Sequence, residues 1–95
     1  MDFETFIKSI QPGHREPDCN PYALALWHER MGDWHKAHQI VQDMNDDYAA
    51  WVHAYLHRRE GDQGNAGYWY RIAGKPFPTV TMEEEWRELV KAVLQ

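Results

Sequence analysis

Histidine is the residue type with the widest chemical potential in this sequence, which holds six of them among 95 residues. His53 and His57 are four positions apart, and His35 and His38 are three apart, so each pair shares a face if its segment is helical. Neutral imidazoles at such spacings can bind one transition-metal ion. The residues 54–56 lack the glutamate of a helical zinc-protease motif, and one cysteine cannot build a cysteine-based zinc site. The sequence therefore predicts no metal ion and no cofactor.

Packing is the preferred interpretation of His57, because His28 occupies the equivalent place in an internal repeat. We expect both imidazoles to be part-buried and hydrogen-bonded within their own hairpins. Arg30 and Arg59 are also equivalent, each two residues before a glycine. They could clamp a carboxylate or another anion. Their place in a last helical turn instead favours compensation of the helix dipole, together with an ion pair to a capping aspartate.

The remaining reactive residues do not form a catalytic pattern. Cys19 follows His14 by five positions, but Glu16 and Asp18 oppose the thiolate that a nucleophile requires. The acidic run 83–85 fits the first turn of a helix, where capping and the helix dipole explain it. No phosphate-binding loop, dinucleotide fingerprint or nucleophile elbow is present. We therefore expect a non-catalytic protein.

Aromatic residues are the other unusual feature, with five Trp, five Tyr and three Phe. Large aromatics fill the cores of small domains, but they are also enriched at interaction sites. Short helices cannot turn all of them inward, so some are available for a binding surface. The candidate binding residues are Trp34, His53, His57, Arg59, Tyr68 and Trp69.

Helical periodicity dominates the chain and strict alternation is absent, which predicts an all-α fold of five to six short helices. A capping box at Thr81–Glu84 opens the last helix, and two prolines in 76–78 keep the segment before it extended. The predicted helices span 3–10, 21–30, 34–44, 48–60, 63–73 and 82–94. The inward stripe of the last helix is predicted to be Met82, Trp86, Leu89, Val90 and Val93.

An internal repeat with an offset of 29 residues organises the middle of the chain. Gly32-Asp33 aligns with Gly61-Asp62, so each copy reads as helix, Gly-Asp turn, helix. Glycine suits a left-handed helix end, and aspartate caps the helix that follows. The pattern predicts two tandem antiparallel hairpins, over 21–44 and 48–73, flanked by terminal helices within a single domain. The other matched pairs are Ala25 with Ala54, His28 with His57, Arg30 with Arg59 and Ala37 with Ala66.

The second copy resembles the tetratricopeptide and Sel1-like class of helical hairpin repeats. That pattern places a turn glycine, a small residue, an aromatic, an alanine and a proline at fixed intervals, and here they are Gly61, Ala66, Tyr70, Ala73 and Pro78. The whole chain also resembles a group of short bacterial proteins that share a stretch like 53–62 followed by Tyr68-Trp69-Tyr70. The repeat resemblance implies a hairpin-repeat fold, whereas the resemblance to the bacterial proteins assigns no activity.

Charge and hydropathy limit the classes of partner. The net charge of −5 opposes non-specific binding to nucleic acids, which carry phosphate charge. No apolar run approaches the length of a membrane span. The acidic start Met1–Glu4 is unlike the basic start of a secretory signal, and a single cysteine excludes an internal disulfide. We therefore expect a cytoplasmic protein.

These observations favour a protein- or peptide-interaction module, with a protein, a peptide or a second copy of the chain as its partner. One alternative is a small-molecule or metal-binding protein, in some versions an enzyme, that uses His53, His57, His35 or His38 together with Arg59. Another is a purely structural homo-oligomer.

Overall fold

The computed structural model describes all 95 residues as six α-helices without β-strands, which confirms the predicted all-α class. None of the six combines the length and apolar character that a membrane span requires. The helices are α1 (Phe3–Lys8), α2 (Pro21–Arg30), α3 (Trp34–Val41), α4 (Asp47–Glu60), α5 (Gln63–Ala73) and α6 (Met82–Val93).

Local capping explains where the helices begin. At each start a side-chain oxygen accepts a hydrogen bond from the backbone N–H three residues later, which satisfies a donor that the helix itself cannot. The capping residues are Asp2, Asn20, Asp33, Asp46, Asp62 and Thr81.

The two Gly-Asp turns share one backbone arrangement, as the repeat predicts. Gly32 and Gly61 both have positive φ, at 94° and 88°. The N–H of Asp33 donates to the His28 carbonyl, and the N–H of Asp62 donates to the His57 carbonyl. The repeated histidines therefore occupy equivalent backbone positions at the ends of α2 and α4.

Helix α4 is the central element, in contact with α2, α3, α5 and α6. The most extensive interhelical contacts join α4 to α5 and α2 to α3, the partners of each predicted hairpin. The main core lies among α1, α2, α3, α4 and α6, whereas Ala54, Ala66 and Tyr70 form a small second cluster between α4 and α5. The alanines thus lie where the pattern of small residues predicts close helix contact.

Several predicted details are wrong. Helix α1 ends at Lys8, two residues before its predicted end, and helix α3 ends at Val41, three residues before its predicted end. Turns begin after both residues. Met82 is 37% exposed because it is the first residue of α6, so only the rest of the predicted stripe is buried. The acidic run does more than cap, because Glu85 is buried and bonded to three side chains.

Candidate metal centre

Three imidazoles from two helices converge in the structure. His38 lies near the end of α3, and His53 and His57 lie on α4. One nitrogen from each ring can be chosen so that all three lie within 4.8 Å of one another. The ring centroids are separated by 4.6 Å for His38–His53, 5.4 Å for His38–His57 and 4.9 Å for His53–His57.

The position of each ring follows from its helix. A separation of four residues places His53 and His57 on one face of α4, and their rings stack at an interplanar angle of 26°. His38 approaches from α3 with its ring roughly perpendicular to both. Because α3 and α4 pack together only in the folded molecule, the third imidazole comes from tertiary structure.

Glu60 orients the His57 ring. Its Oε2 lies 2.7 Å from His57 Nδ1, and an ionised carboxylate can only accept a hydrogen bond, so Nδ1 carries the proton. The lone pair of the neutral ring is then on Nε2. A carboxylate behind a histidine is the usual arrangement around metal-binding imidazoles, where it sets the tautomer and raises the basicity of the ligand.

The other two rings share a hydrogen bond through their Nε2 atoms, which are 3.0 Å apart. In this contact one ring donates and the other accepts, so the accepting ring is neutral. Burial is the main cause that lowers the pKa of His53 to about 4, and the neighbouring His38 and His57 lower it further. Burial and the charge of His57 also lower the pKa of His38. Both lowered pKa values favour the neutral rings at neutral pH, in which one Nε2 carries the shared proton and the other offers its lone pair.

Two tryptophans hold the rings in place. Trp34 stacks on His38 with centroids 5.0 Å apart, and its Nε1 donates to the Leu56 carbonyl at 2.6 Å. On the opposite side Trp69 stacks on His53 with centroids 4.0 Å apart. The imidazoles are thus part of a layered aromatic cluster contributed by α3, α4 and α5.

The arrangement is chemically suited to a borderline divalent metal ion. Zinc binds imidazole nitrogen at about 2.0–2.1 Å in tetrahedral geometry, which places neighbouring ligand nitrogens about 3.3 Å apart. The 3.0 Å between the Nε2 atoms of His38 and His53 is close to that value. Three protein ligands would leave the fourth position for water or another small ligand.

Four of the six predicted binding residues meet in this cluster: Trp34, His53, His57 and Trp69. Tyr68 lies at its edge, 48% exposed and perpendicular to Trp69. Arg59 is not among the rings and pairs with Glu29 at 3.3 Å. His38 and Glu60 complete the site; the sequence named His38 only as one possible residue of the metal-binding alternative, and it did not identify Glu60. The separation of three residues between His57 and Glu60 was the sequence signal that could have indicated this contact, because such residues share a helix face.

The two pairs of repeated residues differ in their outcomes. His57 bonds within its own helix as expected, but His28 bonds to Glu16 of the preceding loop at 2.7 Å, so its predicted partner within the hairpin is wrong. Arg30 and Arg59 pair with Glu83 and Glu29 rather than with a capping aspartate. His35 is exposed and lies outside the cluster.

No known protein family, no curated protein and no solved structure matches this chain.

Proposed function

We propose that this protein binds a divalent transition-metal ion, zinc being the best fit, through His38, His53 and His57. The observation that carries the proposal is the convergence of three imidazoles from α3 and α4, with Glu60 hydrogen-bonded behind one of them. Imidazole nitrogen suits zinc, copper and nickel, whereas calcium and magnesium prefer oxygen ligands.

The stacking partners support a binding role. Trp34 and Trp69 cover the faces of His38 and His53 and leave their ring nitrogens directed at each other. A metal ion would replace the proton that lies between these two nitrogens, and the ring that carried it would bear its proton on Nδ1 instead. It would also join α3 to α4 by coordinate bonds, so metal binding would stabilise the fold because only the folded chain assembles the site.

Metal titration of untagged, metal-free protein tests the proposal. We expect one Zn²⁺ per chain, and Co²⁺ is expected to give the visible absorption of a tetrahedral site. Cu²⁺ should quench the fluorescence of Trp34 and Trp69, because both rings stack on ligands. A stoichiometry of zero, or metal bound without change in thermal stability, would contradict the proposal.

Matched histidine variants locate the site. His38→Asn, His53→Asn and His57→Asn each remove one ligand and should lower zinc affinity by about tenfold or more, whereas His35→Asn on the exposed face of α3 should leave it unchanged. Circular dichroism of each variant verifies that the helices are retained. Equal zinc affinity in His38→Asn and His35→Asn would exclude the proposed ligand set.

A second candidate function, a protein-interaction module, is favoured by one surface. Tyr68 and Ile72 lie four residues apart on α5 and are 48% and 51% exposed. Neighbouring apolar side chains of this kind are typical of helix surfaces that pack against a partner, and the resemblance to helical hairpin repeats supports the same role. Tyr68→Ala with Ile72→Ala should weaken any self-association that light scattering detects across a concentration series. If the double variant and the parent chain have the same molecular mass at every concentration, a second copy of the chain is excluded as the partner.

A further inference from the structure

The two repeated arginines line one cavity, although they lie 29 residues apart in the sequence. Arg30 ends α2 and Arg59 lies in the last turn of α4, and both turns face the start of α6. The cavity has a volume of about 290 Å³. Its lining consists of Glu29, Arg30, Gly32, Tyr55, Arg59 and Glu83.

Each guanidinium group is anchored by a carboxylate and keeps spare donors. Arg30 Nη2 lies 2.9 Å from Glu83 Oε1, and Arg59 Nε lies 3.3 Å from Glu29 Oε2. Each of these contacts occupies one guanidinium nitrogen, so the other nitrogens of both groups can donate to a ligand. Since a guanidinium group has five donors, each can accept a further oxyanion.

Buried side chains contact Glu29 and Arg30, two of the charged residues that line the cavity. Glu29 is only 9% exposed, and its Oε1 accepts a hydrogen bond from the buried Tyr55 hydroxyl at 3.2 Å. The Arg30 guanidinium lies 3.8 Å above the centroid of the buried Trp86 ring. Fixed polar groups of this kind reduce the entropy lost when a ligand binds.

The charges of the lining select the class of ligand. Two arginines and two glutamates give a lining with no net charge but with both signs present. A simple anion would meet the glutamates and a simple cation would meet the arginines, whereas a molecule that carries both charges can pair with both. A neighbouring depression of about 310 Å³ shares Glu29, Gly32 and Arg59, and it leaves room for the rest of such a molecule.

We propose that this cavity binds a small zwitterion of the amino-acid class. Its carboxylate would accept from the spare N–H groups of Arg30 and Arg59, and its ammonium group would donate to Glu29 and Glu83. The lining of the cavity includes none of the three imidazoles, although the neighbouring depression also includes Trp34 and Glu60, which contact them.

Nuclear magnetic resonance titration of the metal-free chain, with a chelator present, tests this inference. Glycine, γ-aminobutyrate and leucine are the zwitterionic probes, and acetate and methylammonium each carry one of the two charges. At least one zwitterion should shift the Gly32 amide and the Nε–H signals of Arg30 and Arg59 saturably. Acetate and methylammonium should bind at least tenfold more weakly. Equal binding of acetate, or no saturable shift with any zwitterion, would overturn the proposal.

Variants identify the residues responsible. Arg59→Met should weaken binding of the best zwitterion about tenfold, because a charge-assisted pair is lost, and Arg71→Met on the exposed side of α5 should not. Glu29→Gln is the corresponding change at the ammonium end, should Arg59→Met unfold. Whichever of Arg59→Met and Glu29→Gln remains folded, an unchanged affinity for the zwitterion in that variant would overturn the assignment. His53→Asn should keep the zwitterion affinity of the parent chain, so failure of the metal site and failure of this cavity are distinguishable.

Discussion

At the scale of single residues, His53 shows how burial changes the chemistry of a side chain. The ring is 5% exposed, lies between His57 and Trp69, and shares a hydrogen bond with His38. A charged imidazole has no solvent there to stabilise it, so the neutral form is favoured. The same environment that prevents protonation keeps a lone pair available for a metal ion.

The depressed pKa of His53 predicts a pH dependence of stability in metal-free protein. Between pH 6.5 and about 4 the unfolded chain protonates this ring, while the folded chain does not. The unfolded state therefore binds more protons, and the free energy of unfolding should fall as the pH is lowered through this window. Urea unfolding at a series of pH values measures the slope. The slope should be shallower in His53→Asn and retained in His35→Asn; equal slopes in all three chains would contradict the prediction.

Glu60 offers a second residue-scale prediction. Its carboxylate orients His57 without reaching the metal position, so Glu60→Gln should lower zinc affinity about tenfold and leave the stoichiometry at one. Competition titration against a zinc indicator measures the change. Glu4→Gln, at an exposed position of α1, is the matched control, and its zinc affinity should equal that of the parent chain. Identical affinities in the two variants would show that Glu60 does not support the ligand.

At the scale of helices, the Gly-Asp turns determine how each helix pair is joined. Gly61 adopts φ of 88°, and the next residue, Asp62, caps α5 by accepting from the Asn65 amide. Both effects are local, because they depend on a missing Cβ and on a short side chain with an acceptor. This explains why α2 and α5 have the bounds that the sequence predicts.

Two glycines of this region should respond oppositely to alanine. Gly61→Ala places a Cβ in the left-handed region and should cost about 1 kcal/mol of unfolding free energy. Gly67→Ala lies within α5, where the added Cβ would meet only a flexible Arg71 nitrogen at 3.8 Å, and should stabilise by about 0.5–1 kcal/mol. Urea denaturation of both variants measures the difference. Stabilisation by Gly61→Ala would mean that the turn adopts another conformation.

At the scale of the whole molecule, Glu85 joins elements that are distant in the chain. Its Oε1 accepts from Arg58 at 2.8 Å, and its Oε2 accepts from Tyr70 at 2.6 Å and from Trp51 at 3.2 Å. Arg58 in turn donates to the Val80 carbonyl. One buried carboxylate thus connects α4, α5, α6 and the segment that precedes α6, and no buried side-chain polar atom of the chain lacks a partner.

Removal of this carboxylate should be severely destabilising. Glu85→Ala leaves the Arg58 charge, the Tyr70 hydroxyl and the Trp51 N–H short of acceptors, at a cost of about 3 kcal/mol. Glu88→Ala is the matched change on the exposed side of α6 and should stay within about 0.5 kcal/mol of the parent chain. Chemical unfolding of both variants provides the comparison. If Glu85→Ala loses as little unfolding free energy as Glu88→Ala, the hydrogen bonds of Glu85 add little to stability.

The sequence alone determined the all-α class, the helix caps at Asp33, Asp62 and Thr81 and the equivalence of the two Gly-Asp turns, because each depends on residues a few positions apart. It also identified Trp34, His53, His57 and Trp69, since an excess of imidazole and indole is visible in composition and spacing. Only tertiary structure decided that His38 joins the pair on α4 and that the charges of Arg30 and Arg59 line one cavity. These sites join residues that are distant in the chain, such as Arg30 and Glu83, and the packing of α2, α3, α4 and α6 brings them together.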